Sequence, residues 1–144
     1  METLHYLLMK SHTQLNRWIL GQAAAIGLSP GQPKVLECLM RCGESNQKTI
    51  ADYCEIEPAT VGSILSRMER DGLVCRAQRE GNRRALYVSL TPRGIELGEK
   101  MEEIFHRADA HAVAGLSENA RRQLCDLLTQ VCAGVSGAAE GGRV

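Results

Sequence analysis

Aromatic side chains are nearly absent from this chain: one Trp, three Tyr and one Phe in 144 residues. A hydrophobic core must therefore be assembled from Leu, Ile, Val, Ala, Met and Cys. No uninterrupted apolar run approaches the roughly 18 residues of a membrane span. Lys10, His12 and Arg17 interrupt the continuous apolar stretch that a signal peptide would need, so the expected location is the cytoplasm. Net charge is absent too: 17 basic residues balance 17 acidic ones. Any polyanionic partner must be met by a local patch, not by the field of the whole molecule. No Gly-rich phosphate loop, nucleophile–base pairing or framed pair of carboxylates stands out, so neither an enzyme nor a cofactor is expected.

Cysteine is the exception to this sparseness. Six occur, at 38, 42, 54, 75, 125 and 132, mostly inside periodic segments and not in loops. In a reducing compartment that pattern argues against a disulfide framework. Cys38 and Cys42, with His5, His12, His106 and His111, offer at most two zinc ligands on one face where four must converge, so no metal is expected. Cys75 precedes Arg76 and Cys54 lies near a turn, which makes them candidates for a thiol of lowered pKa. The plainer reading makes Cys38, Cys54, Cys125 and Cys132 small apolar fillers.

The stretch from Pro58 to Thr91 organises the chain. Pro58 suits a first helical position. Val61, Leu65 and Met68 form an apolar stripe widened by Ile64, while Thr60, Ser63 and Arg67 share a short, polar, basic face fit for a major groove. Gly72 ends that helix. Leu73 to Arg79 and Ala85 to Leu90 then read as two strands, with Leu86, Val88 and Leu90 on one face. The tip between them is Glu80-Gly81-Asn82-Arg83-Arg84. Within 67–93, seven arginines face three acids, a local balance of +4 in a neutral chain. That is a local footprint for a polyanion.

The flanks are helical. Residues 2–26 read as one long helix with a stripe at Leu4, Leu8, Leu15 and Trp18 or Ile19, ended by Gly27. A rod of ~37 Å needs another helix to cover it. Ser29 is expected to cap a second helix with Pro30 first and Pro33 in its opening turn; Val35, Leu36, Leu39 and Met40 face inward. Glu44 to Asn46 reads as a turn. A short third helix, Gln47 to Cys54, is capped by Ser45 or Asn46, and with the helix from Pro58 it forms a helix-turn-helix. Thr91 caps a fifth helix that starts at Pro92 and runs to about Val113, with an acidic solvated face and Gly98 permitting a close crossing. Ser117 caps a sixth, striped by Ala120, Leu124, Leu127, Leu128, Val131 and Val135. From Gly134 onward the chain is Gly-rich and expected to fray.

QKTIADYCEIEPATVGSILSRMERDGLV followed by NRRALYVSLTPRG resembles the winged helix-turn-helix of the MarR (multiple antibiotic resistance regulator) transcription factors, and GLSPGQPKVLECL resembles that family's second helix. By motif the resemblance covers about residues 28–98. The family's wing pattern is an Asp, any residue, an Arg, five residues, then Leu-Thr. Arg84, Leu90 and Thr91 match it. Asn82 stands where the Asp would be, so the wing Arg would be braced by a neutral hydrogen bond. Gly62 and Ser63 stand where many relatives carry Thr and Arg, which shifts affinity toward wing and phosphate contacts.

The resemblance implies a mostly α fold with a small β-hairpin wing. A dimerisation helix would occupy 1–28, the winged helix-turn-helix 29–91, dimerisation helices 92–135 and a flexible tail 136–144. It implies a homodimer on a pseudo-palindromic operator with half-sites ~34 Å apart. Thr60 and Ser63 would then reach base edges, with Pro58, Ala59 and Gly62 beside them. Arg67 would meet phosphate or act behind the contact, and Arg84 would enter a narrow minor groove. Asn46, Gln47, Lys48 and Arg83 would hold the DNA backbone. The family's small aromatic effectors bind between dimer helices and winged domain, where His12, Arg17, Trp18 and Met40 are the candidates, and such an effector would relieve repression. Two other readings stand beside it: a winged-helix module for an acidic protein partner, and a cysteine-based redox regulator.

Overall fold

The structure, a computed structural model, describes residues 1–79 and 81–141; for 82–85 the backbone alone is described. Among the described residues, six helices and three strands are arranged in the order α1 (Leu4–Ala25), α2 (Gln32–Cys42), β1 (Ser45–Asn46), α3 (Gln47–Cys54), α4 (Pro58–Arg70), β2 (Val74–Arg79), β3 (Asn82–Leu90), α5 (Pro92–Ala112) and α6 (Glu118–Gly141). The fold is a winged helix-turn-helix with long flanking helices. The chain forms two compact units, residues 1–108 and 109–144.

The first unit is built on α2, α3 and α4. Val35, Leu36, Ile50, Val61, Leu65 and Met68 are fully buried, each worth about 1.5–3 kcal/mol of transfer from water. The 61–65–68 stripe of α4 therefore does what its spacing predicts. That helix stops in a Schellman turn: Leu73 N–H reaches Met68 O at 2.9 Å and Gly72 N–H reaches Glu69 O at 3.1 Å, with Gly72 at φ +77°. Thr91 Oγ1 accepts the Gly94 N–H at 3.0 Å and donates to Gly72 O at 2.6 Å. One side chain thus caps α5 as expected and ties its start to the end of α4. Met40 packs over Gly98, where a Cβ would lie 2.7 Å from its sulfur; the close crossing is between α2 and α5.

Four local expectations are corrected. Helix α2 starts at Gln32 with Gly31 as its N-cap, not at Pro30. Ser29 takes part differently: its N–H donates to Gln32 Oε1 at 3.0 Å, and Gln32 N–H returns to Ser29 O at 3.1 Å, so the side chain of the helix caps the turn. Ser45–Asn46 is not a plain turn but β1, antiparallel to β3 with Ser45 opposite Val88; the sheet order is β1-β3-β2. Two residues are too short a strand to show period-2 alternation, so no pattern announces it. Arg79 pairs with Asn82 across a register irregularity at Gln78–Arg79, which places Asn82–Arg84 within β3 and not in the tip. Glu80 lies outside the described residues.

The second unit carries the end of α5 and all of α6. Ser117 Oγ caps α6 by accepting the Ala120 N–H at 3.1 Å. The helix runs on to Gly141, past the fraying expected from Gly134; residues 142–144 lie outside the described residues. None of its residues is buried within the chain.

Candidate nucleic-acid interface

The helix-turn-helix is held by backbone and side-chain bonds in which few of its exposed groups take part. Asn46 caps α3, its Oδ1 accepting the Thr49 N–H at 2.8 Å. Lys48 beside it is exposed. The turn after α3 places Glu55 in the left-handed region at φ 54°, with Ile56 N–H on Ala51 O at 3.1 Å. From there Pro58 opens α4. Pro58, Ala59, Thr60, Ser63, Ser66 and Arg67 are all exposed, forming one polar stripe opposite the buried one. The helix N-terminus adds the positive end of its dipole. Ser63 Oγ leans back to Ala59 O at 3.4 Å.

Gln47 has a different place from the one expected. It is half-buried, and its Nε2 donates to Pro58 O at 3.1 Å. Its amide lies over Gly62, where a Cβ would come 3.0 Å from Nε2. Gln47 therefore fixes the start of α4 against α3 with one of its two amide N–H donors. Gly62 is the residue that lets it do so. A polar residue at a helix start gives no hint of this in the sequence, because its acceptor lies eleven residues away.

The wing is braced by two ion pairs that sequence reading did not find. Arg76 Nη2 lies 3.3 Å from Glu69 Oε1 and 3.2 Å from Ser66 Oγ, and the Arg76 N–H reaches Glu69 Oε2 at 3.2 Å. These contacts tie β2 to α4 and hold the Glu69 carboxyl below the usual glutamate range. Arg79 pairs with Glu44, its Nε at 3.4 Å from Oε1, and its guanidinium lies 4.7 Å from the Tyr87 ring centre. Glu44 raises the Arg79 pKa further. Both pairs are partly or well exposed, so each is worth little in stability; what they fix is the wing's position. They also revise the charge balance, because Arg76 and Arg79 are paired inside the protein. Arg67, Arg70 and Arg93 are exposed. The side chains of Arg83 and Arg84 lie outside the described residues, as does that of Asn82.

A cavity of about 370 Å³ opens between α1, the start of α2 and α5, with Ile56 from the helix-turn-helix in its wall. His12 lines it, joined by Asn16, Lys34 and Glu37 over an apolar floor that includes Ile19 and Phe105. Arg17, Trp18 and Met40 do not. Arg17 points outward from α1, Trp18 lies 5.8 Å under the Arg107 guanidinium, and Met40 is against Gly98. The helical phase of Arg17 and Trp18, one or two residues past Asn16, turns them to other faces of α1.

The thiols meet expectation in part, Cys38 and Cys54 filling the core. Cys38 and Cys54 are buried. Burial, then the neighbouring Cys54 and Cys42, pushes the Cys38 thiol up to about 12, and burial raises Cys54 as well. Cys54 is thus the reverse of a thiol with lowered pKa. Cys125 and Cys132 are exposed within the chain, not filling its core; Cys42 and Cys75 are exposed too. Among the described residues, no helix is long and apolar enough to cross a membrane.

Comparison with known proteins places this architecture. The family model described as MarR family matches residues 28–86. The chain is 30% identical over 102 residues to the uncharacterized HTH-type transcriptional regulator YkoM of Bacillus subtilis, the alignment covering 71% of this chain and 66% of that one. It is 24% identical over 128 residues to an HTH-type transcriptional repressor of Mycobacterium bovis, covering 89% and 92%. The solved structure of Bordetella bronchiseptica BpsR, from work on regulation of its DNA binding by 6-hydroxynicotinic acid, superposes with a TM-score of 0.82 at 23% identity over 91% of this chain and 99% of that one. Motif, pairwise likeness and element order agree, and the chain belongs to the MarR family of transcriptional regulators.

Proposed function

We propose that this chain is an operator-specific repressor that binds double-stranded DNA as a homodimer and releases it when a small aromatic acid occupies the cavity. The observation that carries the reading is the outward stripe of α4, Thr60, Ser63 and Arg67, held on a helix whose start is fixed by Gln47 and whose end is pinned to the wing by Arg76 and Glu69. Thr60 and Ser63 contact base edges, with Pro58, Ala59 and Gly62 giving the backbone a close approach. Arg67, Lys48 and Asn46 meet phosphate. Arg83 and Arg84 add the wing's contacts, Arg84 in the minor groove. Gln47 acts by positioning.

Two unpartnered apolar faces support the homodimer. On α1, Leu4 is 63% exposed; on α6, Leu127 is 58% and Val135 66% exposed. A monomer rarely leaves such faces open. The mycobacterial relative is a repressor, and BpsR answers to 6-hydroxynicotinic acid. The cavity here suits that class: Lys34 and His12 can meet an anionic group, Glu37 and Asn16 a hydroxyl or amine, and the apolar floor a flat ring.

Selection of bound duplexes from a random pool, with the protein's mass measured in solution, tests this reading. The expected result is a pseudo-palindromic site, a mass of two chains, and at least tenfold weaker binding by Arg84→Ala. A lone subunit that selects no duplex at low ionic strength overturns it.

A further inference from the structure

We propose that the turn at Pro30–Gly31 is the mechanical link between the cavity and the recognition helix, so that an occupant of the cavity is felt at α4 through the contact of Gly31 with Ile64. The proposal rests on the reading of the cavity as an effector site. Pro30 and Gly31 form part of the cavity wall. On its other side Gly31 touches α4: a Cβ built there would lie 2.7 Å from Ile64 Cδ1 and 3.3 Å from Ile64 Cγ1. The same backbone thus faces the cavity and the recognition helix at once.

The turn is built to move as a unit. Pro30 has a fixed φ, and Gly31 sits at φ +91°, where other side chains are strained. Ser29 and Gln32 close it with reciprocal bonds at 3.0 and 3.1 Å. The Ser29–Gln32 bonds span Gly31 and restrain rotation there, so a push from the cavity is passed on. Gln32 also carries a buried Nε2 with no acceptor among the described residues. A displaced turn that gave this donor an acceptor would recover part of what the push costs, as a two-position element requires. The receiving residue is well placed. Ile64 adjoins Ser63, lies one turn after Thr60 and precedes Arg67 by three residues. A shift there re-aims the whole outward stripe. Ile56, in the cavity wall and two residues before Pro58, moves the same helix from its start.

A double-mutant cycle on the selected operator tests the link without any effector. Gly31→Ala adds a Cβ against Ile64, and Ile64→Val removes the δ-methyl it would strike. Gly31→Ala alone is expected to weaken operator binding at least tenfold with helical content retained. Ile64→Val alone should stay within threefold of the natural chain; the backbone strain at φ +91° persists in the double variant, so it should recover at least threefold over Gly31→Ala and not the whole loss. If the losses multiply, or if Gly31→Ala binds normally, the link is wrong. Hydrogen exchange covers the case in which Gly31→Ala does not fold. By reciprocity, operator binding should change protection of the amides of Gly31, Gln32 and Lys34 in the natural chain and not in Ile64→Val; an equal change in both overturns the proposal. If the natural chain selects no duplex, the repressor reading itself fails and this link falls with it. If it selects an operator and the cycle is additive, only the link fails.

Discussion

The guanidinium of Arg76 bridges the recognition helix to the wing through Glu69, 3.3 Å away. This pair makes stability depend on pH in a definite direction. Arg76 holds the Glu69 pKa below its ordinary value of 4.5. Above about pH 4.5 the carboxylate is ionised in folded and unfolded chains alike, and the pair contributes in full. As the pH falls below that value the unfolded chain protonates first, and the contribution fades until the folded carboxyl is protonated too. Urea midpoints measured from pH 6 downward should therefore fall less steeply for Glu69→Gln than for the natural chain. Parallel curves would mean that the pair is broken in solution.

The same pair separates two arginines that composition treats alike. Each phosphate contact adds about 0.9 to the slope of log affinity against log salt. Arg67 is exposed on the outward stripe, so Arg67→Ala should lower the slope by about that amount while weakening binding. Arg76 is already paired inside the protein. Arg76→Ala should weaken operator binding through a misplaced wing and leave the slope unchanged. Titrations of a fluorescent operator at several salt concentrations would show it; a reduced slope for Arg76→Ala would place that side chain on phosphate.

Gly94 is required by space. A Cβ there would come 2.0 Å from Leu73 O and 3.1 Å from Leu90 Cδ2. The first obstacle is backbone, fixed in turn by the Thr91 N–H at 3.0 Å, so it cannot swing aside as a side chain could. Gly94→Ala should cost about 3 kcal/mol, at the upper end of what overpacking does. Gly98→Ala meets the flexible end of Met40 instead and should cost less. Urea denaturation of the two variants gives the comparison, and equal losses would contradict it.

The sequence makes the helices and the wing legible because their signals are local. Val61, Leu65 and Met68 recur at helical spacing, Pro58 and Pro92 mark first turns, and Thr91 and Ser117 cap the helices that begin beside them. What it hides depends on distant partners. Glu44 and Arg79 meet across 35 positions, and β1 exists only because β3 lies beside it. Gln47 reads in sequence as an exposed group at a helix start, and nothing local announces its bond to Pro58 O. The cavity shows the same limit. His12 lines it, whereas Arg17 and Trp18, a few residues along the same helix, face elsewhere, and only the packing of α1 decides which.

Thiol reactivity should track burial. The thiolate is the reactive form, and Cys38, pushed up to about 12, holds almost none at neutral pH. Cys54 is raised in the same direction by burial. Under native conditions Cys42 and Cys75, both exposed, should be alkylated by iodoacetamide while Cys38 and Cys54 stay protected until the chain unfolds. Peptide mass mapping over a time course reads this directly. Early labelling of Cys54 would revive a redox role for the helix-turn-helix.

Glu55 occupies the left-handed position that ends α3, at φ 54°. Ile56 N–H on Ala51 O and Glu55 N–H on Asp52 O complete a Schellman turn, and glycine is the residue that takes this conformation without strain. An L side chain there costs about 1–2 kcal/mol, less what a glycine loses through its more mobile unfolded chain. The exposed carboxylate makes no hydrogen bond or ion pair among those of the described residues that would be lost with it. Glu55→Gly should therefore raise stability by roughly 0.5–1 kcal/mol, and Glu55→Ala should not. Because the turn sets the angle between α3 and α4, operator affinity should stay within twofold for the glycine variant. Urea midpoints and one binding titration settle both halves. A glycine variant less stable than the alanine one would show that the left-handed turn is absent in solution.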